Sequence, residues 1–221
     1  MRVVLAILWK DLTTEWRSRD RVVAMVVFSL LVVIVYHFAL PEGTGNEVSV
    51  HAPGLLWVAF VFASLIGLNR AFAMELENDA LAGLALAPVD RGWVFLGKAL
   101  ANVLLIGIVQ VLTAAAFGFV FDLDLVSPAP ALAPVFLLGT LGISSVGTLF
   151  SAMSVRTRFR EVLLPVLLLP ALFPVLAGAV EGTLEALRDG QASFASIQLL
   201  LVVNGIYWII SFVGFEYVLD E

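Results

Sequence analysis

The sequence predicts an all-α integral membrane protein with six transmembrane helices, preceded by an N-terminal amphipathic helix. Three observations predict this class. Of the 221 residues, 61% are hydrophobic and 14% are charged, whereas soluble domains are about half apolar and about a quarter charged. Six apolar stretches approach the length of about 20 residues that crosses a bilayer. Basic residues concentrate between alternate stretches, as the positive-inside rule describes.

Residues 1–21 form the first predicted unit, a cytoplasmic amphipathic helix that lies in the membrane interface over residues 2–20. Its apolar side carries Leu5, Leu8, Trp9, Leu12 and Trp16, and its polar side carries Lys10, Asp11, Thr14 and Arg17. A basic cluster then marks the cytoplasmic edge of the membrane: Arg17, Arg19 and Arg21.

Residues 22–221 form the second predicted unit, a permease domain of six spans. These spans are about Val22–Leu40, Pro53–Leu68, Ala99–Phe121, Ala131–Met153, Val162–Val180 and Ile197–Val218. The second is the shortest, and we expect Asn69–Ala73 to lengthen it by tilting or by continuing past the interface.

The positions of Lys and Arg predict the orientation. Eleven of the 12 lie in the N-terminal segment and in the loops after spans 2 and 4, and only Arg188 lies in an opposite loop. The positive-inside rule therefore places both termini in the cytoplasm. The outer loops are predicted to be acidic, with Glu42, Glu47, Asp122, Asp124, Glu181, Glu185 and Asp189.

The interior of the spans argues against several transport mechanisms. No Asp, Glu, Lys or Arg lies deep in a span, whereas proton pumps, voltage sensors and ion-coupled carriers usually need one there. Milder polar residues are present, namely Gln110, Ser144, Ser145, Thr148 and Asn204. We expect them to hydrogen-bond between helices; a transport pathway is the alternative.

Spans 4 and 5 have distinct packing signals. Span 4 contains small residues that allow close helix approach: Gly139, Gly142, Ser145, Gly147 and Ser151. Span 5 contains Pro165, Pro170 and Pro174, each of which removes a backbone hydrogen bond. We therefore expect span 5 to be bent and buried among neighbours that satisfy the freed carbonyls.

The sequence lacks residues that a nucleotide-binding loop, a rhomboid protease and a zinc enzyme each require. Residues 92–99 nearly match a Walker A loop, but the intervening residues are bulky and Ala99 has no hydroxyl for Mg²⁺. Ser144 and Ser145 in span 4 suggest a rhomboid protease, but span 6 offers no histidine as the base. The chain has no cysteine and no His-Glu-x-x-His motif, which argues against a zinc enzyme.

Two histidines, His37 and His51, lie at the outer surface in this topology. Neutral imidazole can bind haem iron, so they are candidate haem ligands. Solvated loop and interface residues are the alternative, and we favour it because no regular element brings the two together.

The loop after span 2 contains the most distinctive stretch. Acidic residues come first, then a short apolar face, then a proline that ends the helix. A helix of about two turns is not stable alone, so we expect it to dock on a partner; a loop lying on the lipid surface is the alternative. The residues in question are Glu75, Glu77, Asn78, Asp79, Leu81, Leu84, Leu86 and Pro88.

This stretch resembles the coupling helix, here about 78–88, of permeases that work with a separate ATP-binding-cassette ATPase. Further motifs are Ala52, Pro53, Gly54 and Trp57, then Arg70 and Phe72, the Gly-Lys98 that opens span 3, and the Leu-Leu-Leu-Pro170 run. Together they resemble the haem exporter B family, and the resemblance covers essentially the whole chain. Asp79 and Asn69 depart from the family pattern, which usually has a glycine and an acidic residue at those positions.

The resemblance implies an ABC-2-type permease fold in the bacterial cytoplasmic membrane, with no catalysis on this chain and no nucleic-acid partner. Two copies would pair with two cassette ATPase subunits, beside a haem-handling membrane subunit and a small single-span subunit. ATP hydrolysis would then release haem-loaded periplasmic chaperone, with haem and ATP/Mg²⁺ held by the partners and no cofactor on this chain. Two other classes stay open: a permease of the same fold for a lipid, polysaccharide or drug, and a membrane scaffold that transports nothing.

Overall fold

The computed structural model describes residues 2–40, 45–72, 90–155, 157 and 159–218, and the regular structure within these ranges is helical. The helices are α1 (Arg2–Ser18), α2 (Asp20–Ala39), α3 (Gly45–Ala71), α4 (Arg91–Phe121), α5 (Ala129–Ser154), α6 (Arg160–Asp189) and α7 (Phe194–Val218). The six helices after α1 are long and apolar enough to cross a membrane. The predicted fold class is confirmed.

The helices extend beyond the predicted apolar spans because they end at caps rather than where polar residues begin. Helix α4 begins at Arg91 instead of Ala99, since the Asp90 side chain accepts a hydrogen bond from the Gly92 amide at 2.8 Å. Helix α6 continues past Val180 to Asp189 and is followed by the cap residue Gly190, which has a φ of 70°. Three residues predicted in an outer loop are therefore helical: Glu181, Glu185 and Asp189.

Helix α3 is also longer than its predicted span at both ends. It begins at Gly45 and continues to Ala71, so Asn69 is helical as expected, and Pro53 lies inside the helix rather than at its start. Proline lacks an N–H, so at this position the helix forgoes one backbone hydrogen bond.

Helix α5 is the centre of the bundle and packs against α3, α4, α6 and α7. Its glycines accept large side chains from these neighbours. A Cβ on Gly139 would lie 2.1 Å from the Trp57 ring, and one on Gly147 would lie 2.4 Å from Leu68. The prediction that small residues of span 4 allow close helix approach is confirmed.

Hydrogen bonds between the helices join most of the polar residues named from the sequence. Thr140 bonds Gln110, and the Asn102 side chain donates to Thr148 at 2.9 Å. The Ser144 hydroxyl donates to the Ala99 carbonyl at 2.7 Å, and the Asn204 amide donates to the Leu138 carbonyl at 3.0 Å. Ser145 instead bonds the Gly142 carbonyl of its own helix. These contacts confirm the predicted inter-helix role for four of the five residues.

Span 5 is buried along one side, as expected, but its prolines do not mark that side; the expected bend and the partners of the freed carbonyls stay predictions. One stripe of α6 is fully buried, namely Leu164, Leu168, Leu172, Val175 and Ala179. The prolines lie off this stripe: Pro170 is exposed, and Pro165 and Pro174 are half-buried. Residues spaced three or four apart form a single helix face, so the aliphatic spacing, and not the prolines, determines which side of α6 meets the bundle.

One end of the bundle is defined by an apolar cluster and by basic residues. At one end, α1 and the ends of α3, α4, α5 and α7 share an apolar cluster that includes Ile7, Phe72, Phe95, Ala152 and Phe215. Both described chain ends therefore lie at the end where α3 stops and α4 starts. We call it the basic end, because Arg70 and Arg91 belong to these helix ends.

Candidate functional site at the basic end

Lys98 is the most unusual residue of the basic end because its ammonium group is buried. It lies in the second turn of α4 and is only 2% exposed. Its Nζ lies 3.2 Å from Asp11 Oδ2 of α1 and 4.6 Å from the ring centroid of Phe72. A buried charge is costly unless it is paired, and here a carboxylate and an aromatic face both compensate it.

Phe72 and Lys98 flank the segment predicted to dock on an ATPase. Phe72 directly follows α3, and Asp90 caps α4 two turns before Lys98. The described residues on either side of the segment 73–89 are therefore Phe72 and Asp90. The predicted docking residues lie inside it, outside the described residues, so their role stays a prediction: Glu75, Glu77, Asn78, Asp79, Leu81, Leu84, Leu86 and Pro88.

One stripe of α1, formed by Ile7, Asp11 and Glu15, attaches this helix to the bundle. Ile7 packs so closely on α4 that a Cβ on Gly97 would lie 2.8 Å from the Ile7 Cβ. Asp11 forms the ion pair with Lys98. Residues four apart lie on the same face of a helix, so three successive turns of α1 use an apolar contact, an ion pair and a helix cap.

The cap belongs to Glu15, which fixes the corner between α1 and α2. Its Oε1 accepts a hydrogen bond from the Val22 amide at 2.9 Å, and its Oε2 lies 3.6 Å from Arg21 Nε. The chain turns at Arg19, whose φ of 58° is left-handed and unfavourable for a residue with a Cβ. The buried carboxylate offsets this strain by satisfying a free amide of the first turn of α2.

The sequence interpretation of α1 was half right. The apolar residues Leu5, Trp9 and Trp16 do share a side, and they point away from the bundle with 60%, 74% and 76% exposure. Asp11, however, was assigned to a polar side facing water, and it instead faces α4. The spacing of Ile7, Asp11 and Glu15 could have indicated the packed face. It was missed because a face with two carboxylates is usually read as polar and solvent-facing.

Four other family-motif residues lie in the first half of α3, about 20–30 Å from Phe72 at 1.5 Å per residue. Ala52, Pro53 and Trp57 are buried, whereas Gly54 is half-buried with open space where a Cβ would stand. The Trp57 Nε1 donates to Thr183 Oγ1 at 3.0 Å. The structure therefore brings Phe72 and Lys98 together and separates them from the Trp57 group; Arg70 is exposed at the end of α3.

Comparison with known proteins identifies the family. The sequence profile of the family described as "CcmB protein" matches residues 2–213, from the start of α1 into the last turns of α7. The chain belongs to the CcmB protein family. The resemblance found in the sequence is thereby confirmed.

Curated relatives of this CcmB-family chain match it along most of their length. A protein of Paracoccus denitrificans is 34% identical over 203 residues, covering 91% of this chain and 89% of the relative. One of Rhodobacter capsulatus is 34% identical over 205 residues, with the same coverage. One of Bradyrhizobium diazoefficiens is 28% identical over 196 residues, covering 89% and 87%. All three are named heme exporter protein B.

The Walker-like residues of this CcmB-family chain have a packing role. Gly92 and Gly97 lie in helix α4 rather than in a loop after a strand. A Cβ on Gly92 would lie 2.4 Å from the Phe212 ring, and Gly97 receives Ile7. These glycines therefore allow α7 and α1 to approach α4, and their geometry is not that of a phosphate-binding loop.

The histidines of the chain lie apart from the basic end. His37, near the end of α2, has its ring 5.9 Å from that of Phe121, and His51 is exposed on α3. Within the described ranges, no group of three or more His, Cys, Asp or Glu residues could hold a metal ion.

Proposed function

We propose that the chain is the transmembrane permease subunit of an ABC transporter complex required for cytochrome c maturation in the bacterial cytoplasmic membrane. In this proposal, a separate cassette ATPase hydrolyses ATP, and the permease couples hydrolysis to release of the haem-loaded periplasmic chaperone. A haem-handling membrane subunit and a small single-span subunit complete the complex, in which the permease is a dimer. The observation that carries the proposal is the family match over residues 2–213.

The division of labour with an ATPase is supported by the chemistry that α4 lacks. The Gly92–Lys98 stretch is helical and tightly packed, so it offers no cradle of free backbone amides for phosphates. An ATP-driven process that uses this chain therefore takes its nucleotide chemistry from a partner.

Transmission of the ATPase's movement is supported by the basic end. The segment 73–89 connects to Phe72, which is buried in the cluster shared by α1, α4, α5 and α7. A close-packed cluster transmits displacement because its side chains cannot be compressed. A force on the segment would thus reach several membrane helices together.

The haem iron is assigned to the partners in this proposal. Axial ligation takes His, Met, Cys or Tyr side chains, and the chain has two histidines and no cysteine. We therefore propose that this subunit supplies the moving membrane part and holds no resident cofactor, and that both termini are cytoplasmic.

Deletion of the gene tests the proposal. We expect the deletion strain to lose holo-cytochromes c and to keep b-type cytochromes, because only covalent haem attachment needs the maturation complex. Haem staining and difference spectra of membranes measure both, and a plasmid copy should restore the c-type. If c-type cytochromes persisted in the deletion strain, a permease for a lipid, polysaccharide or drug would replace this proposal.

A further inference from the structure

Three elements meet at one buried contact that the proposed mechanism has not yet used. The Lys98 ammonium lies between Asp11 of α1 and the ring of Phe72, which follows α3. Phe72 is 1% exposed, and the side chains of Lys98 and Asp11 are 2% and 17% exposed. We call this trio the basic-end joint. It links α1 to both flanks of the segment 73–89.

An ion pair at such a place fixes position more than it stabilises. A well-packed apolar pair often stabilises a protein as much as a buried ion pair or more. The ion pair differs in its geometric demand, because a displacement of α1 separates the Asp11 carboxylate from the buried Lys98 ammonium. A shift of α1 by one residue would rotate Asp11 by about 100° and move it by about 1.5 Å, which breaks the contact with Lys98.

The neighbouring contacts of α1 require the same register of α1 against α4 and α2. Ile7 fills the space above Gly97 one turn before Asp11, and Glu15 caps α2 one turn after it. The opposite side of α1 is free of the bundle, with Trp9 and Trp16 exposed. Helix α1 is thus held at one defined register against α4 and α2.

We propose that Asp11 is a positioning residue for energy coupling: through Lys98 and Phe72, α1 sets where the two flanks of the segment 73–89 stand, and hence how that segment is presented to the ATPase. The inference rests on the proposed function. It assigns to α1 a part in ATPase docking, in addition to any contact with the membrane surface.

The test compares substitutions of Asp11 in the full complex, isolated from native membranes through a tag on the permease. Asp11→Asn removes the charge and Asp11→Glu keeps it. Arg17→Gln is the matched control, since it removes an exposed charge from the same helix. Two quantities are measured: the amount of permease in the membrane, and the ATPase recovered per permease.

We expect Asp11→Asn to insert normally and to recover less ATPase by about tenfold, because loss of the carboxylate that faces the buried ammonium displaces the joint. Arg17→Gln should match the wild type, and Asp11→Glu, which keeps the charge, should recover more ATPase than Asp11→Asn. In a Lys98→Met background, Asp11→Asn should cause little further loss, since the Asp11–Lys98 ion pair is already absent. This non-additivity identifies the pair as the cause.

Two results would overturn the inference. One is unchanged ATPase recovery with Asp11→Asn. The other is a loss of permease from the membrane while the surviving chains recover ATPase at the wild-type ratio, which would mean that the pair only stabilises the fold. Failure of the ATPase partnership in the proposed function is distinguishable, because then the wild-type chain itself would recover no ATPase. Failure of its cytochrome c role is read separately, from the deletion strain.

Discussion

At the scale of single residues, Gly139 shows how closely α3 and α5 approach. The Trp57 indole occupies the space where a side chain would begin, and it also donates to Thr183 of α6. Two phenylalanines surround the same indole edge to face, Phe60 at 5.4 Å and Phe136 at 5.8 Å between ring centroids. One tryptophan thus joins three helices, and a glycine makes room for it.

We expect Gly139→Ala to lower the free energy of unfolding by about 1–3 kcal/mol, as overpacking does, because the new Cβ would lie 2.1 Å from the Trp57 ring. Gly107→Ala on α4 is the matched control, since nothing lies within 4 Å of its Cβ position. Thermal unfolding of the purified protein in detergent measures both. Equal midpoints for the two variants would contradict this packing.

The histidines carry a second residue-scale prediction. If partners hold the haem iron, the double substitution His37→Ala and His51→Ala should leave cytochrome c maturation intact. The isolated wild-type protein should also show no Soret band. Loss of c-type cytochromes in a double mutant that inserts and binds its ATPase normally would instead identify these side chains as ligands.

Sequence reasoning found the small and polar residues of span 4 correctly and misjudged α1. Glycines such as Gly139 and hydroxyls such as Ser144 are rare in lipid-facing positions, so their presence alone indicates helix contact. Asp11 and Glu15 gave no such signal, because a carboxylate on an amphipathic helix usually faces water. Their partners show that both carboxylates face inward. Asp11 meets Lys98, which is distant in sequence, and Glu15 meets Val22, which lies across the turn between α1 and α2.

At the scale of elements, helix ends were predicted less well than helix existence. Apolar runs predict the part of a helix in hydrocarbon, and α4 and α6 continue beyond it to Asp90 and Gly190. The prolines of span 5 likewise do not indicate which side of α6 is buried. Proline indicates where a backbone hydrogen bond is missing but not which face of the helix is covered, and the leucine spacing decides that.

The segment 73–89 carries the element-scale prediction. If its apolar face docks in an ATPase cleft, Leu84→Asp should abolish co-purification of the ATPase, because burying an unpaired charge costs several kcal/mol, about 3–5 where a pair is broken. Membrane insertion should be unaffected. Leu84→Met keeps the apolar face and is the control.

Co-purification from solubilised membranes, with the permease quantified in the same sample, separates the two effects. Recovery of the ATPase by Leu84→Asp at the wild-type level would show that another element makes the contact.

At the scale of the whole molecule, the arrangement of helix ends supports one topology. The basic end gathers α1, the end of α3, the start of α4 and the ends of α5 and α7, which is the alternation that the distribution of Lys and Arg predicts. We expect reporter fusions after Glu47, Asp122 and Asp189 to report the outside, and fusions after Asp79 and Arg158 the inside. Alkaline phosphatase and fluorescent-protein fusions measure this. An inside signal at Asp122 would refute it.

The central position of α5 has a consequence for how the chain is made. Among the six apolar helices, the most apolar stretches of α5 and α3 have the lowest mean hydropathy. They are also the most buried, with 67% and 61% of their residues buried, against 17% for α2. A strongly apolar helix such as α2 can leave the translocon by itself. Alone in lipid, helix α5 would expose the glycines and hydroxyls that the bundle buries, so we expect partners to stabilise it in the bilayer. Two of these partners are present when α5 is made, because α3 and α4 are synthesised before it and form a surface on which it can pack.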